Sequence, residues 1–470
     1  MNDGMILRKL METNLWRRGA GWEQDDRDLK GLRRTPFSYE PRPFNDIVPA
    51  GLYVLRGPRR VGKSLEVKRT ISDLIHRGVD PKRIIHFACD ELSRGDLARL
   101  YRVGRGSCSV GVSEPRYWFL DEITSVPGWP AAIKNLRDTT DFADDCVVLT
   151  GSSAKDLDEA TKELAGRRGP ANPSDRILLP MSFRAFAAAI GLSSLPAIPS
   201  VSIADLLEPE MGEALYELMP WMSDLASAWE LHLVVGGYPR AVGDHLDKGD
   251  VQPDFIAALW DVIHGDALKT MSMEAAAAHN LLVRLTKNLA SPMNMSEVAS
   301  EIGVERGETA KARVNALIDS YLAWPCHKQG QHNLPNLDAQ SKYYFTDPLL
   351  ARIANYRLPQ SPLADSSAIS EQQMGLTLLR RIETERPGTF ADFTSLMYAR
   401  TSTKKEIDFV GPVLGNFGVE GKYVDDKWKQ ESLTLKAQFG RGILATRSIF
   451  DITDDIWAVP AGMLAWLINE

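Results

Sequence analysis

From about residue 51 to 186 the chain alternates short apolar runs with stretches of helical spacing. The runs are Leu52–Leu55, Ile84–Ala88, Tyr117–Leu120, Val147–Leu149 and Ile177–Leu179. A few unbroken apolar residues suit a strand buried in a parallel sheet. After the first run, Val67, Ile71, Leu74 and Ile75 recur at the spacing of one helix face. Strand and helix in alternation predict an α/β fold, a parallel sheet flanked by helices.

The flanks read differently. Residues 1–50 are mixed in charge, with one amphipathic stretch at Ile6, Leu7, Leu10, Leu15 and Trp16. Gly191–Ser202 is rich in Ser, Pro and Gly and reads as a linker. Residues 203–285 are helical, interrupted once at Gly236-Gly237-Tyr238-Pro239. A helix over Ser291–Ile302 has Asn294 and Glu297 at capping-box spacing and Gly303 as its stop. In the next helix Ala310, Val314, Leu317, Ile318 and Tyr321 share a face, and two strand-like runs follow, Leu322–Lys328 and Lys342–Phe345. Helix, turn, helix and hairpin in that order form a winged-helix pattern. Residues 357–369 are polar and contain proline, a second linker; beyond them come a helix (Glu371–Glu383), strands, a helix (Lys427–Phe439) and a strand. Internal repeats and low-complexity tracts are absent from the sequence.

A length of 470 residues predicts three or four domains, and 44% hydrophobic with 25% charged residues is ordinary for a globular protein. A net charge of −7 disfavours nucleic-acid binding by overall charge and leaves room for a local basic face. Cys89, Cys108, Cys146 and Cys326 are scattered and read as buried, reduced thiols of a cytoplasmic protein. The eight histidines show no metal-ligand spacing. The first residues lack the apolar segment of a signal peptide, and no run reaches the length of a membrane span, so no membrane partner is expected.

Between the first strand and its helix, residues 57–64 read Gly-Pro-Arg-Arg-Val-Gly-Lys-Ser, a complete G-x-x-x-x-G-K-[ST] phosphate loop. Its backbone N–H groups point at a polyphosphate, its lysine reaches the β- and γ-phosphates, and its hydroxyl binds Mg²⁺. Strand, loop and helix is the setting the motif requires. ATP and Mg²⁺ are therefore the expected ligands, with Gly57, Gly62, Lys63 and Ser64 as their binding residues. The run Arg116–Leu120 ends in Asp121 and Glu122. The ion needs a carboxylate in its shell and the attacking water needs a group to orient it, so Asp121 is the expected metal ligand and Glu122 the base. Thr150 or Ser152, at the end of Val147–Leu149, could sense the γ-phosphate or hold the water; capping by Ser152 or Ser153 is the alternative. Arg167, ahead of Arg168, is a candidate arginine finger, acting in its own subunit or a neighbour; a solvated basic turn is the alternative.

Gly57–Ser64, Trp118–Glu122 with Gly128-Trp129, Leu149–Ala154, Gly166-Arg167-Arg168 and Ser182–Phe186 come in the order and at the distances of a widespread family of prokaryotic AAA-type ATPases, which this chain resembles. The resemblance implies that Gly236–Pro239 is the lid turn, with Pro239 against the adenine, and that the lid leads to a winged helix and a restriction-endonuclease-like domain. The chain then divides into an N-terminal extension (1–50), a P-loop ATPase core (51–190), a helical lid (191–286), a winged helix (287–360) and a PD-(D/E)XK nuclease-like α/β domain (361–470).

The last domain can also be read from its own residues. Lys405–Val410 and Gly418–Val424 alternate polar and apolar about a Gly-Pro-Val-Leu-Gly-Asn turn. A hairpin centred near Leu414 sets Asp408 opposite Glu420 and Glu406 opposite Lys422. Opposed acids destabilise a strand pair unless a cation lies between them. Asp-x(11)-Glu-x-Lys is PD-(D/E)XK-like spacing, in which Asp408 and Glu420 hold a metal, Glu371 is a candidate further ligand and Lys422 serves the nucleophile. Glu406 and Lys422 could instead form a plain ion pair. Lys311 and Arg313 on the second winged-helix segment stand beside Glu308 and Asp319, so it reads as a DNA contact or as a spacer. The leading expectation is an ATP-dependent DNA-processing homo-oligomer coupled to a metal-dependent nuclease. Its rival is a nucleotide-dependent switch that binds DNA or protein and carries a vestigial nuclease domain. A small-molecule kinase would have no use for either appended segment.

Overall fold

A computed structural model describes residues 1–107, 114–152, 162–198, 202–268, 273–423, 425 and 428–468. The chain forms two compact units, Met1–Leu178 and Leu179–Glu470.

Parallel strands form the centre of the first unit: β1 (Leu52–Arg56), β2 (Ile84–Ala88), β3 (Tyr117–Asp121), β4 (Cys146–Thr150) and β5 (Asp175–Ile177), in the order β2-β3-β4-β1-β5. Every residue of β1, β3 and β4 is buried, which is why these strands are apolar up to their last residues, Arg56, Asp121 and Thr150, instead of alternating. The helix Lys63–His76 leaves the end of β1 and turns Val67, Ile71 and Leu74 inward, as their spacing predicts.

Residues 1–50 belong to this unit and are not an extension of it. Ile6 and Leu10 of the helix Asp3–Thr13 enter the core over the sheet. Asn14 is fully buried and exchanges two hydrogen bonds with His86: its Nδ2 donates to the His86 carbonyl (2.9 Å), and the His86 N–H donates to its Oδ1 (2.8 Å). A side chain thus pairs part of the edge strand β2, which blunts an otherwise open edge.

The second unit holds a mixed sheet of eight strands: β6 (Ala323–Gln329), β7 (Pro335–Asn336), β8 (Lys342–Phe345), β9 (Met397–Arg400), β10 (Glu406–Val410), β11 (Gly418–Gly421), β12 (Gly442–Thr446) and β13 (Ile456–Pro460). The order is β13-β12-β11-β10-β9-β6-β7, with β8 also paired to β6. β9, β10 and β11 run antiparallel, β11 to β13 parallel, and β6 lies parallel to β9. The structure therefore joins what the sequence divides: β6, from the segment expected to be a winged helix, continues the sheet of the segment expected to be nuclease-like, across the expected boundary at 360/361. A helix of the segment expected to form the lid joins it too. Met222–Val235 packs on Ala461–Ile468, where a Cβ on Gly462 would stand 2.3 Å from the Leu225 carbonyl.

Two glycines explain how the helix Ser366–Glu385 lies on this sheet. A Cβ on Gly375 would stand 2.6 Å from the Phe409 ring, and one on Gly421 would stand 3.1 Å from Cβ of Glu371. The small residue between Glu420 and Lys422 thus marks a close helix crossing.

Elsewhere the helix signals hold in part. Asn294 caps the helix Met295–Glu301 by accepting from Ser296 N–H, but Glu297 reaches Arg284 at 2.9 Å and does not return to the cap. Gly303 stops that helix at φ +72°. The helix predicted over 427–439 breaks at Ser432 into Trp428–Glu431 and Leu433–Phe439; Lys427 lies outside the described residues. Cys89, Cys146 and Cys326 are buried and free, whereas Cys108 lies outside the described residues. Among the described residues no helix is long and apolar enough to cross a membrane.

Candidate active site

The phosphate loop joins β1 to the helix Lys63–His76 and is held in shape by its glycines. Gly57 has φ +140°, and a Cβ there would meet the Leu178 carbonyl at 1.9 Å. Gly62, at φ +101°, opens the helix with no side-chain cap, so the first-turn N–H groups are free for an anion. Lys63 is buried and donates to the carbonyls of Gly57 (2.8 Å) and Pro58 (2.9 Å). Burial pushes its ammonium down to about 8, opposed by Glu122 and Asp121.

Both acids stand where β3 ends. Ser64 Oγ donates to Asp121 Oδ2 at 2.6 Å, and Thr150 Oγ1 donates to Asp121 Oδ1. Thr150 also accepts the N–H of Glu122 at 3.1 Å. Glu122 adopts φ +51°, a left-handed conformation rare for its residue type and concentrated at functional sites. Its Oε2 accepts from Ser152 Oγ at 3.3 Å, and Arg59 reaches that hydroxyl at 3.4 Å. Both residues at the end of β4 thus touch the acids: Thr150 contacts Asp121 and the N–H of Glu122, and Ser152 contacts the Glu122 carboxylate. Ser153, the alternative cap, lies outside the described residues. An uncapped helix N-terminus, a lysine, and a hydroxyl paired with a carboxylate suit a nucleoside triphosphate with Mg²⁺.

Arg167 and Arg168 stand elsewhere in the unit. The carbonyl of Arg168 accepts from Leu52 N–H at 3.0 Å, at the start of β1. Five strand residues, about 16 Å, separate that point from the loop. Arg167 is paired with Asp138, Nε to Oδ1 at 2.9 Å. The same-subunit finger is therefore not met in this arrangement. Arg168 is committed to Asp175 at 3.3 Å.

Pro239 begins the helix Pro239–Lys248 in the second unit. The turn before it is fastened by the buried Asp347, whose Oδ2 accepts from Gly237 N–H (2.7 Å) and Oδ1 from Leu349 N–H (2.9 Å). Gly237 in turn accepts from Met181 N–H at 2.6 Å. Burial raises the Asp347 carboxyl to about 7 despite these donors.

The four expected nuclease residues do converge. Phe409 pairs with Val419, which sets Asp408 opposite Glu420 as the hairpin predicts. Gly421 N–H donates to Asp408 Oδ2 (2.9 Å), Asp408 N–H to Glu420 Oε2 (3.2 Å), and Lys422 Nζ lies 3.2 Å from Glu420 Oε1. Glu406 does not pair with Lys422. Its partners are Lys342 (2.8 Å) and Arg400 (3.1 Å).

Sequence reasoning missed Lys342. This residue of β8 is 0% exposed, and its Nζ lies 2.9 Å from Glu371 Oε1, 2.9 Å from Asp408 Oδ1 and 2.8 Å from Glu406 Oε1. Tyr344 OH donates to the same Glu371 oxygen. Burial would lower the Lys342 ammonium, but its acid neighbours outweigh burial and hold it well above the usual range. Burial raises Glu371 to about 7 and Glu420 to about 8; burial would raise Asp408 as well, but Lys342 and Lys422 hold it below its usual value. Among the described residues no three acid, histidine or cysteine side chains are placed to share a metal ion. As arranged, Asp408, Glu420 and Glu371 do not fit a divalent cation, because Lys342, Lys422 and backbone N–H groups hold both oxygens of Asp408 and of Glu420, and Lys342 holds Oε1 of Glu371. The one available signal was a lysine opening an otherwise aromatic strand.

Residues 50–187 match the model of the AAA domain, and residues 226–360 match a Domain of unknown function (DUF8612). The matched model, the phosphate loop and the acids of β3 together make the first region an AAA-type P-loop ATPase domain. Among solved structures, the Walker-type ATPase PABY2304 of Pyrococcus abyssi is similar at 13% identity and a TM-score of 0.40, over 75% of this chain and 95% of that one. The ORC2 protein of Aeropyrum pernix, in its ADPNP-ADP complexes, gives 9% and 0.32 over 66% and 89%. A single-substitution variant of RuvB from Thermotoga maritima gives 12% and 0.25 over 69% and 89%. Scores at this level set neither fold nor function for the chain. No curated protein matches it significantly.

Proposed function

We propose that the chain is an ATP-dependent DNA-processing protein that works as a switch: it hydrolyses ATP with Mg²⁺, and the nucleotide state sets how its second unit engages DNA. The observation that carries this reading is the 2.6 Å contact of Ser64 with Asp121 beside the buried Lys63. Mg²⁺, when bound, neutralises charge on the phosphate oxygens. Ser64 and Asp121 would hold it. Lys63 leaves its two loop carbonyls to meet phosphate charge. Glu122, held through its N–H by Thr150 and through its carboxylate by Ser152, orients the water and accepts its proton. Arg167 serves the site of a neighbouring copy, which makes the working form a homo-oligomer. Pro239 is the lid residue that the family resemblance implies.

DNA is the partner that the helix-turn-helix segment suits. Arg306 and Lys311 are exposed at the start of the helix Gly307–Asp319, where a phosphate is favoured. A second reading is a metal-dependent DNase, with Asp408, Glu420 and Glu371 as ligands and Lys422 serving the nucleophile; it requires Lys342 to leave the acids it now holds. The opposition of Asp408 and Glu420 favours it; the pairing of Lys342 with Asp408 and Glu371 favours the switch.

The test is incubation of the full chain with linear and circular DNA, in Mg²⁺ or Mn²⁺, with and without ATP, beside Lys63→Ala and Lys422→Ala. ATP turnover raised severalfold by DNA, lost in Lys63→Ala, with the DNA intact, is expected. Turnover and binding indifferent to DNA would remove DNA as the partner. Cleavage that disappears in Lys422→Ala would restore the nuclease.

A further inference from the structure

The acid cluster of the second unit is unused by the ATPase, and Lys342 occupies it. Lys342 Nζ donates hydrogen bonds to Glu371 Oε1 and Asp408 Oδ1, each at 2.9 Å, and forms an ion pair with Glu406 Oε1 at 2.8 Å. The lysine has no exposed surface, and its Nζ lies 5.6 Å from the centre of the Tyr398 ring. Its backbone is fixed as well, because Lys342 pairs with Cys326 in the β6–β8 ladder.

A divalent cation shared by Asp408 and Glu371 would sit about 2.0–2.6 Å from their oxygens. The oxygens that face each other there, Asp408 Oδ1 and Glu371 Oε1, already hold Lys342 Nζ at 2.9 Å, and Asp408 Oδ2 is taken by Gly421 N–H. An ion there and the ammonium would overlap, and two cations so close would repel strongly.

We infer that Lys342 is the resident cation of this cluster, in the place of a divalent metal, and that it ties the hairpin following the helix-turn-helix to β10 and the helix Ser366–Glu385. The nuclease-like sheet then keeps the acids of a metal site but fills the site from within. This inference does not depend on the nucleotide site, which lies in the other unit.

The test uses the full chain, without nucleotide, in a thermal melt with and without MnCl₂. Wild type should melt at the same temperature in both. Lys342→Met keeps the length of the stem and removes the charge; it should melt about 10 °C lower, because acids are left buried and unpaired. Mn²⁺ should restore most of that loss. The double variant Lys342→Met/Asp408→Asn should no longer respond to Mn²⁺. If Lys342→Met does not fold, direct Mn²⁺ binding to wild type and Asp408→Asn, followed by electron paramagnetic resonance, decides: equal binding supports the inference. Uptake by wild type of a Mn²⁺ ion that Asp408→Asn abolishes would overturn it. So would a Lys342→Met protein that melts like wild type and ignores Mn²⁺.

Discussion

Ser64 donates its hydroxyl hydrogen to Asp121 across 2.6 Å, although 57 residues separate them in sequence. The contact places a phosphate-loop oxygen and a strand-end carboxylate at one point, as a shared Mg²⁺ requires. Ser64→Ala keeps the loop and removes one of the two proposed ligands. ATP turnover at fixed ATP should then need about tenfold more Mg²⁺ or fall by at least that factor, a change of about 1.4 kcal/mol. A magnesium titration of steady-state hydrolysis reads it.

Thr150 links both acids, donating to Asp121 and accepting from the N–H of Glu122. Thr150→Val keeps the shape and leaves that N–H and one Asp121 oxygen without the hydroxyl. The expected cost is about 1–3 kcal/mol of stability, seen in chemical denaturation, with a lower kcat because Glu122 loses its brace.

Arg167 pairs with Asp138 at the end of the sheet away from the phosphate loop. A finger there acts only on another copy. Arg167→Ala should bind ATP like wild type yet hydrolyse it at least about 100-fold more slowly. Mixing it with Glu122→Gln, which supplies an intact arginine, should recover activity. A mixture no more active than its parts would put Arg167 outside the reaction.

Asp347 gives a pH dependence with a definite sign. Its carboxyl is raised from the ordinary value of 3.8 to about 7, chiefly by burial. The folded chain therefore holds this proton where the unfolded chain has lost it. Its contribution to stability is full below about pH 4 and falls as pH rises through 7, by on the order of 4 kcal/mol in all. Asp347→Asn cannot ionise, so urea midpoints between pH 5 and 8 should slope downward less in the variant than in wild type.

Local chemistry was legible in the sequence. The unbroken apolarity of Leu52–Leu55 and Val147–Leu149 follows from burial on both faces, and it located the parallel strands. The opposition of Asp408 and Glu420 followed from a period of two and the length of one turn. What could not be read depends on contacts between distant segments. Lys342 meets Asp408 across 66 residues, and only its place at the head of an aromatic strand hints at a buried role. Asn14 closes the edge of β2 across 72 residues. Arg167 looked suited to a phosphate by its type, but the fold carries its loop to the start of β1. Glu297 had the spacing of a cap and found a stronger partner in Arg284.

The central claim is that Glu122, at the end of β3, drives ATP hydrolysis beside the Ser64–Asp121 pair. Its most direct test is steady-state ATP hydrolysis with Mg²⁺ by wild type and Glu122→Gln, with nucleotide binding measured alongside. The account predicts that the variant binds ATP as tightly as wild type and turns it over at least about 100-fold more slowly. Turnover at the wild-type rate in Glu122→Gln would contradict it.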